Sequence, residues 1–184
     1  KDPCFLDIKK QPNWTNIFEN GNPLKVEIGF GMGDFLIEMA TRERHSNFIG
    51  VDFTKSGVQS LLTKVKAYRL GNIRVVYGDA RSKLSALFRD EELETIYVNF
   101  PDPWPRKQHL KRRLFNPEFV NLIAQKLGSG GHVYLATDSE SYAQQMMEYF
   151  DAEPSCQNMN QPSGFLDSRK GLPKTKYEKS FIYA

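Results

Sequence analysis

The segment "LKVEIGFGMGDFLIEMATRER", residues 24–44, has the order strand, glycine loop, helix. Residues 24–30 have the largely apolar, β-branched composition of a buried strand. In residues 34–44 the apolar side chains have the spacing of a helix. The glycine loop, residues 29–33, contains Gly29, Gly31 and Gly33. Glycines at these positions let the backbone turn tightly and approach a ligand with no Cβ atom in between. The segment therefore predicts a ligand-binding loop at the end of a buried strand.

Outward from this segment, strands and helices continue to alternate. Further strands are predicted at residues 47–53, 73–79, 94–100, 131–138 and 176–184, and helices at 58–68, 82–88, 117–127 and 139–150. Residues 151–173 are polar and predict a loop or a partly mobile segment. The alternation predicts an α/β fold with a Rossmann-like, doubly wound and mostly parallel sheet, helices on both faces, and ligands outside the carboxyl ends of the strands.

Length and composition are typical of one soluble domain. The chain has 184 residues, of which 40% are apolar and 26% charged, so we expect a single domain over 1–184 with residues 1–23 as an N-terminal extension. Because the first residue is Lys1, we expect the natural protein to begin earlier. We predict no membrane span, no metal site and a reducing cytoplasm, since Cys4 and Cys156 lack metal-ligand spacing.

Positive charge is concentrated in two segments. The basic run, residues 106–113, holds five Lys/Arg and no acid, and residues 168–180 hold five Lys/Arg and one acid. The remainder carries 15 basic and 21 acidic residues. Clustering of this kind favours a local polyanion site, although a solvated helix face is the alternative for a single basic run.

Acids at the predicted strand ends indicate which cofactor the glycine loop serves. Asp34 stands where a dinucleotide fingerprint has glycine, and its charge disfavours a pyrophosphate and therefore NAD. Glu27, before the loop, suits a cationic ligand such as S-adenosylmethionine. Asp52 is placed to bind ribose hydroxyls, and Asp79 with Ala80 to receive adenine. Each Asp has a structural alternative as a helix cap or turn residue.

The proline box, "NFPDPWP" at residues 99–105, places one carboxylate among three prolines. Proline fixes its own φ and restricts the preceding residue, so Asp102 is predicted to lie on a stiff loop. Trp104 either stacks on a substrate base or packs the loop onto the core. Asp102 has the alternative of an Asp-Pro turn residue, but its place at a strand end favours a functional role.

These motifs together resemble the tRNA (guanine-N7)-methyltransferases of the bacterial, single-chain type. The resemblance runs from about Lys25 to Lys179 and rests on "VEIGFGMGDF", "GVDF", "GDA", "YVNFPDPWPRKQHLKRR", "ATD" and "TKYEK". It implies a class I methyltransferase fold, S-adenosylmethionine as cofactor and tRNA as partner. The implied catalytic residue is Asp102, with the cofactor near Glu27, Gly29, Gly31, Gly33, Asp52, Asp79, Ala80 and Asn99. Implied substrate contacts are Arg106, Asp138, Thr175, Tyr177 and Glu178, and implied RNA contacts are Gln108, His109, Lys111, Arg112 and Arg113.

The chemistry of guanine N7 gives Asp102 a role other than general base. N7 has an in-plane lone pair and no proton, so its attack on a sulfonium methyl group needs no deprotonation. Positive charge moves from sulfur to the purine, and a fixed carboxylate near the ring would stabilise the transition state. The same carboxylate could instead hold the guanine N1 and N2 donors, and both roles stay open.

Three other functions compete with this interpretation. A methyltransferase acting on another RNA, a protein or a small molecule would share the cofactor half, but the basic run disfavours the last two. A catalytically silent RNA-binding subunit is disfavoured by the retained acids, and a nicotinamide dehydrogenase by Asp34. We expect a monomer or homodimer with no obligatory protein partner, acting in the variable loop of tRNA.

Overall fold

A computed structural model describes residues 2–160, 163–166 and 171–181 of the chain. Within them, six parallel strands form one sheet in the order β1-β4-β3-β2-β5-β6. The strands are β1 (Phe5–Leu6), β2 (Leu24–Ile28), β3 (Asn47–Asp52), β4 (Ile73–Tyr77), β5 (Leu93–Asn99) and β6 (Leu127–Ala136). The five longer strands coincide with five predicted strands, which confirms the parallel α/β fold.

Helices connect these strands. They are α1 (Trp14–Phe18), α2 (Asp34–Arg42), α3 (Lys55–Ala67), α4 (Ala80–Leu87), α5 (Pro117–Lys126), α6 (Glu140–Asp151) and α7 (Lys176–Phe181), with a 3-10 helix at Lys107–Arg112. Asn116 caps α5 as predicted, since its side chain accepts from the Phe119 amide at 2.8 Å. Ser139 precedes α6 as predicted, but its side chain makes no capping hydrogen bond. None of the helices in the described ranges is both long and apolar enough to cross a membrane.

The core lies on both faces of the sheet. Phe48 and Ile49, neighbours on β3, are both fully buried, and they belong to separate apolar clusters on opposite sides. Val75 and Val76 on β4 divide in the same way. Successive side chains of a strand point to opposite faces, so these pairs require helices on both sides. The two covered faces leave the strand ends as the accessible part of the sheet.

The predicted closing strand at 176–184 is wrong for its described part, because residues 176–181 form α7. Thr175 Oγ1 accepts from the Glu178 amide at 3.1 Å, and Glu178 Oε2 accepts from the Thr175 amide at 2.7 Å. This reciprocal pair is a capping box, whose T-x-x-E pattern is visible in the sequence. Residues 182–184 lie outside the described part of the chain.

The segment before Leu24 contains two elements that the sequence pattern did not reveal. β1 pairs with β4 through Phe5 and Val75, and α1 buries Trp14, which is 3% exposed. The Trp14 ring stacks on Phe88 with centroids 5.1 Å apart, and its Nε1 donates to the Leu87 carbonyl at 3.2 Å. The N-terminal extension is thus packed into the core. The predicted loop at 151–173 has no helix or strand after Asp151 in its described part, while 161–162 and 167–170 lie outside it.

Candidate active site

The sheet order brings the predicted site residues to one edge. Because all described pairings are parallel, the carboxyl ends of the strands meet on the same side. β2 lies between β3 and β5, so the glycine loop lies between the end of β3 at Asp52 and the proline box after β5. From β2 the chain adds β3 and β4 on one side, and it then adds β5 and β6 on the other side. The order of the strands therefore reverses between β2 and β5. Such a switch point opens a crevice where α/β proteins bind ligands.

The glycine loop has a backbone that few other residues adopt. Gly29, Gly31 and Gly33 have φ of 71°, 54° and 82°. A Cβ atom on Gly33 would lie 2.7 Å from Leu61 Cδ1 in α3, whereas one on Gly29 or Gly31 would meet no atom within 4 Å. The loop therefore packs against α3 on one side and leaves its other side open, as a cradle for a ligand.

Asp52 fixes this loop from the neighbouring strand. The residue is 5% exposed. Oδ2 accepts from the Gly31 amide at 2.9 Å, and Oδ1 accepts from the amide and hydroxyl of Thr54, each at 2.7 Å. The predicted ribose-binding acid thus also shapes the cradle, and Thr54 is a supporting residue that the sequence patterns did not single out.

Glu27 and Asn99 join the two strands that flank the crevice. Glu27 is 2% exposed within β2, and Asn99 ends β5. The Asn99 amide nitrogen donates to Glu27 Oε1 at 2.8 Å. Two predicted cofactor residues are therefore in direct contact beneath the glycine loop and the proline box.

Two other acids at this edge have clear structural partners. Asp79 caps α4, with Oδ1 accepting from the Ser82 amide at 3.1 Å, and Ala80 is the first residue of that helix. Asp34 at the start of α2 forms a 2.6 Å ion pair with Lys64. The carboxylate that disfavours a pyrophosphate is thus held at the loop, and Lys64 is a second supporting residue that sequence reasoning missed.

The proline box contains two strained residues. Phe100 and Trp104 have φ of 51° and 41°, in the left-handed region that side chains other than glycine rarely adopt. Asp102 lies between them and is exposed. The Arg112 guanidinium lies 4.9 Å from the Trp104 ring centroid, and His109 meets the ring edge to face at 5.7 Å. These contacts join Trp104 to the 3-10 helix of the basic run.

Four of the five predicted substrate residues lie at α7 or contact it. The Tyr177 hydroxyl donates to Asp138 Oδ2 at 2.7 Å, and this hydrogen bond raises the pKa of Tyr177. The Tyr177 ring packs against Phe100 of the proline box with centroids 4.9 Å apart. Thr175 and Glu178 form the capping box, so they orient α7 here. Arg106 is exposed at the start of the 3-10 helix.

The basic run is divided by burial. Gln108, Lys111 and Arg112 are exposed, and His109 is half-buried. Arg113 is only 5% exposed and donates hydrogen bonds to oxygens of the proline box and α6. Its burial argues against the predicted contact of Arg113 with RNA. No sequence pattern distinguishes Arg113 from its neighbours, because a run of charged residues does not reveal which side chain turns inward.

The open side of the cradle suits S-adenosylmethionine. Backbone at Gly29 and Gly31 admits a ligand where a Cβ atom would otherwise project. Carboxylates at Glu27 and Asp52 match an ammonium group and ribose hydroxyls, and Asp34 disfavours a diphosphate. The residues present therefore fit a cationic nucleoside better than a dinucleotide.

Comparison with known protein families covers most of the chain. Residues 21–184 match the family described as "Putative methyltransferase". The curated tRNA (guanine-N(7)-)-methyltransferase of Saccharophagus degradans is 41% identical over 91% of this chain and 73% of its own length. Those of Shewanella amazonensis and Idiomarina loihiensis are 40% and 39% identical over 94% and 89% of this chain. The chain spans 73% and 66% of these two relatives.

Solved structures share the fold at low identity. A precorrin-6y C5,15-methyltransferase from Geobacter metallireducens has a TM-score of 0.56 at 14% identity, covering 71% of this chain and 61% of that one. A 30S ribosomal A1408 methyltransferase from an uncultured bacterium has a TM-score of 0.53 at 18% identity, covering 72% and 65%. At these identities the likeness concerns the fold alone.

Proposed function

Because the chain belongs to the tRNA (guanine-N7)-methyltransferases, we propose that it transfers a methyl group from S-adenosylmethionine to N7 of a guanine in tRNA. The observation that carries this proposal is the meeting of two loops at the switch point of the sheet. The open glycine loop follows β2, and the proline box with Asp102 follows the adjacent β5. The cofactor cradle and the loop that carries Asp102 therefore lie at the same crevice.

The cofactor would be held by residues on three strands. When bound, S-adenosylmethionine supplies an electrophilic methyl group on a positively charged sulfur. Gly29 and Gly31 would admit it, Glu27 and Asp52 would bind its ammonium and ribose groups, and Asp79 with Ala80 would receive adenine. The contacts of Asp52 with Gly31 and Thr54 support this role, because they hold the carboxylate at the cradle.

Asp102 would act by charge and by position. Guanine N7 carries no proton, so the carboxylate has no proton to remove. Positive charge develops on the purine during the transfer, and a carboxylate fixed beside the ring lowers the free energy of that transition state. The backbone strain on both sides of Asp102 supports the role, since strained residues of this kind concentrate at functional sites.

The tRNA would be bound beside this acid. Lys111 and Arg112 are exposed on the 3-10 helix that follows the proline box, where they can pair with phosphates. Arg106, Asp138 and the α7 residues Thr175, Tyr177 and Glu178 would border the guanine. Phosphate contacts would set the register while the crevice selects one base.

Methyl transfer from tritium-labelled S-adenosylmethionine to unmodified tRNA tests the proposal directly. Digestion of the product to nucleosides should give labelled 7-methylguanosine, with protein and small-molecule acceptors unlabelled. Label in a different methylated nucleoside would contradict the assignment of N7. Tight tRNA binding without any transfer would favour the silent RNA-binding subunit.

We further propose that the guanine lies in the variable loop, and that the protein acts in the cytoplasm as a monomer or homodimer without an obligatory protein partner. Mapping the methylated position in tRNA and measuring the molar mass of the protein in solution check these two points separately. A product methylated outside the variable loop would refute the first, and a larger assembly the second.

A further inference from the structure

The Arg113 side chain joins the proline box to α6. Nε donates to the Pro103 carbonyl at 2.7 Å. Nη1 donates to Gln145 Oε1 at 2.9 Å, and Nη2 donates to Ser141 Oγ at 3.1 Å. The guanidinium also lies over the Tyr142 ring, 4.7 Å from its centroid. All three guanidinium nitrogens are thus engaged inside the protein.

The bond to Pro103 acts where the prolines leave the backbone free. A proline ring fixes φ but not ψ. The peptide that joins Pro103 to Trp104 is oriented by ψ of Pro103 and φ of Trp104, and the latter is 41°. A strained dihedral of this kind persists only when surrounding contacts hold it. Arg113 holds the carbonyl of that peptide, which belongs to Pro103, the residue after Asp102.

A second arginine fixes the backbone from the opposite side. Arg81 Nη2 donates to the carbonyls of Arg113 at 2.8 Å and Leu114 at 2.9 Å. Arg81 lies in the first turn of α4, two residues after Asp79. Arg113 is therefore held by its side chain towards α6 and by its backbone towards α4. Turning the side chain outward to a phosphate would break its contacts with Pro103, Ser141 and Gln145.

A lysine at position 113 could not make the same set of hydrogen bonds as the arginine. The guanidinium presents five N–H donors in a rigid plane, whereas the lysine ammonium is a compact charge on a flexible stem. The partners of Arg113 lie on two separate elements, so their distances suit a planar fork better than a point charge. The geometry requires the shape of arginine as well as its charge.

We propose that Arg113 is a positioning residue for the methyl transfer. It fixes the Pro103–Trp104 peptide, and thereby orients the Asp102 carboxylate, without contacting tRNA. This inference rests on the proposed function, because it gives Asp102 the role described above. It deepens that function by separating Arg113 from the phosphate-binding part of the basic run.

The test uses single-turnover methyl transfer at saturating tRNA and S-adenosylmethionine, with tRNA affinity measured over a range of salt concentrations. Arg113→Lys should lower the saturated rate by about tenfold or more, although the charge is kept. Arg113→Gln should lower the rate and leave the salt dependence of tRNA binding unchanged. A phosphate contact would instead lower the log-log salt slope by roughly 1 and spare the saturated rate.

Arg74 offers a matched control. Its guanidinium donates to the Ile17 carbonyl at 2.7 Å and lies 4.6 Å from the Phe18 ring centroid. Arg74 is on β4, which β3 and β2 separate from β5 and β6. Arg74→Lys should lower the melting temperature and keep the saturated rate. This comparison separates a positioning effect from general loss of stability.

A double variant keeps the inference testable if the Arg113 variants fail to fold. Ser141→Ala with Gln145→Leu removes the two α6 side-chain acceptors of Arg113 and leaves Arg113 in place, and it should lower the saturated rate severalfold. A wild-type rate in this double variant, or in a folded Arg113→Lys variant, would overturn the positioning role alone. A wild-type chain that transfers no methyl group to tRNA would refute the proposed function, and the positioning role with it.

Discussion

The glycine loop and the proline box follow adjacent strands, and both bend through left-handed backbone. In the glycine loop the positive φ values fall on glycines, at 71°, 54° and 82°. In the proline box they fall on Phe100 and Trp104, at 51° and 41°. Glycine adopts this conformation without steric cost, whereas other residues lose about 1–2 kcal/mol each. The first loop is therefore encoded by its own residues and the second by its surroundings.

The contacts around the two loops agree with this difference. The glycine loop is held by Asp52 and by Lys64, both from elements that follow soon in the chain. In the proline box, the Phe100 amide donates to the Ala136 carbonyl at 2.8 Å, and the Arg113 side chain bridges to α6. Apart from the hydrogen bond between Asn99 and Glu27, the contacts that hold the glycine loop and those that hold the proline box come from separate parts of the molecule. Substitutions away from this pair should therefore affect cofactor binding or the acid alone.

The largest effect is expected at Asp102. Asp102→Asn should reduce the single-turnover rate by about 10² to 10³, the scale of one lost electrostatic stabiliser, because the amide carries no charge. S-adenosylmethionine affinity, measured by calorimetry, should hardly change. Asp102 would instead be a proton acceptor if the wild-type rate rose tenfold per pH unit from about 6 to 8 and if Asp102→Asn removed this pH dependence.

The next effect concerns the cations that follow the proline box. Lys111→Ala with Arg112→Ala should weaken tRNA binding on the order of tenfold and lower the log-log salt slope by roughly 2, since two phosphate contacts are lost. Filter binding at several salt concentrations measures both quantities. An unchanged slope would mean that these exposed side chains form a solvated surface.

A smaller effect is expected in the glycine loop, where binding and not chemistry should suffer. Gly29→Ala places a Cβ atom in the open cradle at φ of 71° and should weaken S-adenosylmethionine binding by less than about tenfold. Gly33→Ala should instead lower the melting temperature of the free protein more, because its Cβ atom would meet Leu61 at 2.7 Å. Equal behaviour of the two variants would contradict a loop with one packed and one open side.

The smallest effect is expected at Pro103, whose ring restricts only the local backbone of the proline box. Pro103→Ala should destabilise the protein by about 0.4–1 kcal/mol through the entropy of the unfolded chain. Its saturated methyl-transfer rate should fall by less than about threefold, because the carbonyl at position 103 still accepts from Arg113. A loss larger than that of Arg113→Lys would show that the proline ring, and not the arginine, orients Asp102.

Local patterns in the sequence determined the order of the elements and the position of the crevice. Apolar runs and glycines predicted five strands that the structure confirms, and a parallel sheet brings their carboxyl ends together for geometric reasons. The sequence also contains the T-x-x-E pattern at Thr175, but the apolar spacing after it predicts a strand. A capping signal outweighed that weak alternation in this short segment.

The tertiary structure alone decided which charged side chains turn inward. Arg112 and Arg113 are adjacent in the sequence and have the same side chain. Arg112 is nevertheless exposed, whereas Arg113 is buried, with 5% of its surface accessible. The choice depends on oxygens supplied by Pro103, Ser141 and Gln145, which only folding brings together. A buried arginine is stable where such partners satisfy its donors. Residue type thus fixed the charge of the basic run, and long-range packing assigned each charge its place.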